Sequence, residues 1–80
     1  MSIQEEVRQF IVKNFYVPDA AGLPDDASLL DRGVIDSTGV LEVVAHLEKT
    51  YGIQVDDSEL LPENLDSIAR VAAFVTKKKG

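Results

Sequence analysis

Apolar residues recur at helical spacing in three separated stretches of this chain, and that pattern leaves 80 residues little choice but a small helical bundle. In the first stretch Ile3, Val7, Phe10, Ile11 and Phe15 share one side, while Glu5, Glu6, Arg8 and Lys13 face away. Ser2-Ile3-Gln4-Glu5 has the capping-box pattern, with Ser2 as N-cap and Glu5 reaching back. The first helix is therefore expected to end near Asn14 to Tyr16, before Pro18. The second stretch starts at Asp36 or Ser37 and carries Val40, Val43, Val44, Leu47 and Tyr51 on its stripe, with Leu41 at the margin. Glu42, His46, Glu48 and Lys49 fall largely outside it, and Gly52 follows as the expected left-handed cap. A third helix opens at Asp66 or Ser67, runs through Ile68, Val71, Ala72 and Val75, and ends in Lys77-Lys78-Lys79, where the helix dipole favours cations.

Between Tyr16 and Ile35 the period is lost, and Pro18, Gly22, Pro24 and Gly33 punctuate the segment. A structureless loop of this length is unusual in a compact domain. Leu29, Leu30, Val34 and Ile35 are therefore expected to anchor it on the helices, with a short helical turn around Ser28 to Asp31. After Gly52, Ile53 and Val55 alternate with Gln54 and Asp56 in an extended link. Asp57 to Leu61 then suits one turn of helix stopped by Pro62. The expectation is an all-α bundle of three main helices plus one short one, in a single domain over residues 1–80.

Composition narrows the chemistry. There is no cysteine, so neither a disulfide nor a thiolate metal site is available, and the single histidine excludes His-rich metal clusters. The start, Met1-Ser2-Ile3-Gln4-Glu5-Glu6, is acidic where a secretory leader is basic, and no apolar run reaches the roughly 20 residues that span a bilayer. A cytoplasmic monomer without membrane insertion is expected. The net charge is −6, and it is segregated: from Asp36 to Asp66 eight acids face Lys49 alone, while the rest of the chain is nearly balanced. Such a surface repels nucleic acid and attracts partners bearing Lys and Arg. A merely solvated polar face is the competing explanation.

Gly33-Val34-Ile35-Asp36-Ser37 places a serine where the loop turns into the second helix. Ser37 is open to three roles: nucleophile, modification site or N-cap. A nucleophile needs a base within reach, and His46, nine residues along the same helix, lies roughly 13 Å away at about 1.5 Å per residue. Hydrolase chemistry is excluded on that spacing, and no catalytic residue is assigned. Asp36 can fill the cap and leave Ser37 free at the first helical position. His46 itself is expected to be an exposed helix residue, with a partner contact as the alternative. Gly39 costs about 1 kcal/mol relative to alanine inside a helix, less in the first turn, and its functional explanation is close approach by a partner or by an arm on Ser37. Asp56-Asp57-Ser58-Glu59 lacks the glycine and spacing of a calcium loop, so no metal site is expected.

These residues together resemble the acyl carrier protein family, which includes the peptidyl and aminoacyl carrier domains. The resemblance rests on Leu29-Leu30-Asp31, Gly33-Val34-Ile35-Asp36-Ser37 and Leu47-Glu48-Lys49-Thr50-Tyr51-Gly52-Ile53, followed by the extended link and the helix from Leu65 to Val75. It implies a free-standing carrier, not an enzyme, with 4′-phosphopantetheine joined to Ser37 by a phosphodiester. A phosphopantetheinyl transferase would install the arm, with Asp36 helping to place metal and coenzyme A, and the arm's thiol would hold cargo as a thioester. Loading ligases and downstream synthases or transferases with basic patches would then dock on Thr38, Glu42, Glu48, Asp56, Asp57 and Glu59. Val40, Leu41 and Val44 would line any cargo folded back into the bundle. In this family leucine often follows the serine and another acid often occupies the place of Lys49; Thr38-Gly39 and Lys49 instead point to a specialised carrier, for an amino acid or an unusual acyl group. The alternatives are an aminoacyl or peptidyl carrier loaded by an adenylating ligase and, from a different class, an unmodified acidic adaptor.

Overall fold

A computed structural model describes residues 2–17, 19 and 21–79. Helix α1 spans Ile3–Asn14, α2 Ser37–Tyr51, α3 Pro62–Leu65 and α4 Ile68–Lys79, with a 3₁₀ turn at Asp57–Glu59 and no strand among the described residues. The Ser2 hydroxyl accepts from the Glu5 N–H at 3.1 Å, so one half of the expected capping box is in place. Val7 and Ile11 are buried, with Ile3, Phe10 and Phe15 packed around them. Pro18, expected to close this helix, lies outside the described residues; α1 has already ended at Asn14.

Arg8 does not face away as its wheel position suggests. Its guanidinium pairs with Asp25 and donates to the Leu23 carbonyl at 2.5 Å. Arg8 holds the Asp25 carboxyl below its ordinary pKa, with Gln4 adding a second hydrogen bond to the same carboxylate. Asp25 in turn offers its carbonyl to the Ala69 N–H at 2.8 Å, so one loop residue ties α1 to α4. This clamp explains how a long loop stays ordered without secondary structure of its own.

Leu23, Leu29, Val34 and Ile35 are the loop's buried anchors, whereas Leu30, expected among them, is 38% exposed. Around Ser28 to Gly33 the chain makes hydrogen-bonded turns and no helix, closed by Gly33 at φ 71°. A positive φ of that size is costly for any residue with a Cβ. The Asp66 carboxylate fastens this turn to the far side of the bundle, accepting from the Ser28 hydroxyl at 2.5 Å and the Leu30 N–H at 2.9 Å.

Val43, Val44 and Leu47 give α2 its buried stripe, and Gly52 ends it in the left-handed region at φ 66°. Pro62 corrects the sequence expectation. The 3₁₀ turn has finished at Glu59, and Pro62 opens α3 from its first position. A proline fits there because the first-turn N–H it lacks has no intrahelical acceptor. Ser67 is buried, and its hydroxyl accepts from the Arg70 N–H at 3.0 Å at the head of α4. Ile68, Val71, Phe74 and Val75 complete the core.

A polar bridge fastens the end of α2 to α1, where the Tyr51 hydroxyl donates to Glu6 at 2.7 Å. Burial, then this hydrogen bond and the Glu6 charge, push the phenol from its ordinary 10.0 to about 12. Folded Tyr51 therefore holds its proton more tightly than unfolded Tyr51. The resulting stabilisation is complete below pH 10 and is lost as pH rises through about 12. Tyr51→Phe should cost about 1 kcal/mol at neutral pH and flatten the alkaline limb of the urea midpoint measured against pH. A variant with an unchanged alkaline limb would place the transition on other groups.

Candidate functional site

The geometry at the head of α2 separates two roles that the sequence leaves open. Asp36 is the N-cap: its carboxylate accepts from the Gly39 N–H at 2.8 Å, and its carbonyl accepts from the Val40 N–H at 2.9 Å. Ser37 is therefore the first helical residue, exposed, and its hydroxyl has no hydrogen bond to another described residue. The N–H groups of Ser37 and Thr38 lie in the first turn, where no intrahelical carbonyl can reach them, and anions are favoured at such an end. His46 sits far along the same helix. It is half-buried, not exposed as expected, with its ring stacked on Phe10 at 3.8 Å and 12°. Burial lowers its pKa, opposed by the charge of Glu6. A neutral ring against Phe10 has no access to Ser37.

Beside Ser37 an apolar groove of about 300 Å³ runs between α2 and the α3 segment. Val40 and Leu41 form one wall, Leu60, Leu61, Pro62 and Leu65 the other, and Leu30 from the loop and Asp66 at the end of α3 close it. Leu41 is 57% exposed and Leu61 42% exposed, which leaves the groove open to solvent. Val44 is not part of this lining; it is buried in the core one turn further along α2. Its burial sets it toward the interior, the side on which cargo folded into the bundle would lie.

A sequence profile described as a phosphopantetheine attachment site matches residues 5–75. The chain belongs to that family. It is similar over its whole length to an acyl carrier protein of Solidesulfovibrio magneticus, at 30% identity covering 99% of that protein. An acyl carrier protein of Campylobacter hominis is 37% identical over 94% of this chain and 91% of its own length. A D-alanyl carrier protein of Streptococcus pyogenes is 31% identical over 94% of this chain and 92% of its own length. Membership makes this chain a carrier with a covalent 4′-phosphopantetheine arm, and it removes the unmodified-adaptor alternative.

The residues of this carrier fit such a group. An exposed hydroxyl, unpartnered among the described residues, stands at a helix N-terminus that suits a phosphodiester, next to an apolar groove where an attached chain can leave water. Gly39 has a structural explanation that the sequence did not reveal. It is buried, and a Cβ there would lie 3.1 Å from the Phe15 ring and 3.2 Å from Ile35. The end of α1 and the loop thus press onto the first turn of α2, and a side chain there would require Phe15 and Ile35 to give way by a few tenths of an ångström.

The acids named as docking residues are not equivalent. Glu42, Asp56 and Asp57 are exposed. Glu48 instead accepts from the Val55 N–H at 2.9 Å and holds the extended link against α2. Glu59 accepts from Lys78 at 2.9 Å and from the Asp56 N–H at 3.0 Å, and these bonds, Lys78 first, lower its pKa. The groove residues of the α3 segment were missed as site residues. Their only signal was Leu60-Leu61 directly before a proline, an apolar pair that opens a helix without entering the core. Among the described residues no cluster of metal-ligating side chains is found, and no helix is long and apolar enough to cross a membrane.

Proposed function

We propose that Ser37 is the attachment point of the arm and that this chain, acting as one monomeric cytoplasmic domain, presents acyl cargo to partner enzymes without catalysing a reaction itself. The observation that carries this is the division of labour at the head of α2: Asp36 takes the cap and leaves the Ser37 hydroxyl exposed, with no partner among the described residues. Bound there, phosphopantetheine supplies a terminal thiol that holds cargo as a thioester, a group that a sequence without cysteine lacks. Val40, Leu41, Leu61 and Leu65 offer an apolar surface to that cargo. An aminoacyl cargo loaded by an adenylating ligase is the second possibility, favoured by the likeness to the D-alanyl carrier of Streptococcus pyogenes. Incubation with coenzyme A and a broad-specificity phosphopantetheinyl transferase, followed by intact-mass measurement, tests the attachment; an unchanged mass refutes it.

Docking follows from the exposed acids. Thr38, Glu42, Asp56 and Asp57 face solvent and are the groups available to a basic partner, whereas Glu48 and Glu59 already hold the fold. Glu42→Lys should slow arm transfer several-fold at low salt, with the difference shrinking as ionic strength rises. Equal rates at every salt concentration would count against electrostatic docking at this position. Glu48→Gln should act through stability, by weakening the bond to Val55.

A further inference from the structure

Two clefts flank the first turn of α2, and only one of them is apolar. Ser37 lines the groove already described, while its neighbours Asp36 and Thr38 line a second cleft of about 340 Å³ on the other side of the turn. Asn14 and Phe15 from the end of α1 and Glu42 from the next turn of α2 complete that second cleft, with Gly39 in its wall. We propose that this cleft is the resting site of the neutral, amide-bearing part of the arm, and that the apolar groove is left for cargo; this rests on attachment at Ser37.

The two linings differ in what they can offer an amide. In the apolar groove the polar side chains are Ser37 itself and Asp66, and the Asp66 carboxylate already serves the Ser28 hydroxyl and the Leu30 N–H. Amides laid there exchange water for hydrocarbon, at a cost of about 1–3 kcal/mol for each buried group left unpaired. The second cleft has both donors and acceptors. Thr38 and Glu42 are exposed, and neither side chain is hydrogen-bonded to another described residue. Asn14 gives one N–H to the Phe10 carbonyl at 2.9 Å, which leaves its side-chain oxygen as an acceptor.

Pantetheine matches that set. One of its two amide carbonyls can accept from the Thr38 hydroxyl, its amide N–H groups can donate to Asn14 or Glu42, and its paired methyl groups can lie on the half-buried Phe15 ring. Gly39 keeps the cleft in this shape, because a Cβ at that position would push against Phe15 and Ile35. The charge pattern agrees. The acids Asp36 and Glu42 discourage a second anion here but accept hydrogen bonds from a neutral amide.

The test compares ¹⁵N-labelled apo protein with the same full chain after arm transfer, the arm being verified by intact mass. Beyond residues 36–38, the largest chemical-shift changes should fall on the Asn14 side-chain amide, Phe15 and Glu42. In Asn14→Ala and Thr38→Val proteins that have gained the arm, the changes at Phe15 and Glu42 should fall by more than half. A mass gain with changes centred on Leu30, Leu61 and Leu65, or confined to residues 36–38, overturns the resting site and leaves the attachment intact. No mass gain at all overturns both.

Discussion

Ser37→Ala should abolish the gain of a phosphopantetheinyl group completely while leaving the helical fold and melting temperature in place. The loss is total because no other hydroxyl has the same setting. Thr38, next along α2, is displaced about 100° around the helix and lines the opposite cleft. The fold survives because Ser37 does not supply the cap. Asp36 bonds the Gly39 N–H, and Ser37 is exposed, so its replacement should stay within about 0.5 kcal/mol of the parent. Asp36→Ala should behave oppositely in stability, losing about 0.5–2 kcal/mol with the cap. Measuring mass gain and urea midpoint on the two variants separates attachment from capping. A Ser37→Ala protein that still gains the arm would move the site; one that unfolds would make Ser37 structural.

Leu47→Ala should have the largest effect on stability. Leu47 is fully buried on the stripe of α2, in the same core as Ile11, Ile68 and Val71. Truncating such a leucine removes its transfer free energy and leaves a cavity, typically costing about 2–5 kcal/mol. An 80-residue domain has little reserve, on the order of 4–12 kcal/mol at about 0.05–0.15 kcal/mol per residue. The variant should therefore show a much lower urea midpoint and, at the upper end of the cost, populate the unfolded state at 37 °C. Leu41→Ala is the control. It lies about 1.7 turns away on the same helix but is 57% exposed, so it should lower stability far less. Equal losses in the two variants would contradict the assigned core.

The difference between those two leucines was only partly legible from sequence. Periodicity put Leu47 on the stripe and Leu41 at its margin, because a helix repeats its face every 3.6 residues whatever it packs against. The same periodicity put Val44 on the buried stripe, where it is found, but it misplaced Arg8, which it set facing solvent. That outcome depends on what lies opposite, here Asp25, 17 residues on in a loop with no period to read.

The polar side chains show the same limit more sharply. Glu42 and Glu48 look alike on the sequence, six residues apart on one helix, but the Val55 N–H lies beside only one of them. His46 looked exposed until the Phe10 ring was brought against it across the α1–α2 interface. Pro62 read as a stop because a proline ends a helix from inside; only the path of the chain after Glu59 makes it a first-turn residue.

Three helices, the caps at Ser2 and Gly52, and a serine at the head of α2 with either Asp36 or Ser37 as its cap are legible from sequence alone. Each is a local matter of backbone conformation, side-chain period and a hydrogen bond over three or four residues, so nearby residues suffice to specify it. Packing of the whole chain is what sets Leu60, Leu61 and Leu65 across a groove from Ser37, brings Phe15 and Ile35 against Gly39, and opens a polar cleft behind Thr38. Apart from the Gly39–Ile35 contact, those features join residues more than 20 positions apart, and such contacts arise from packing the core as a whole. Local sequence carries no record of them.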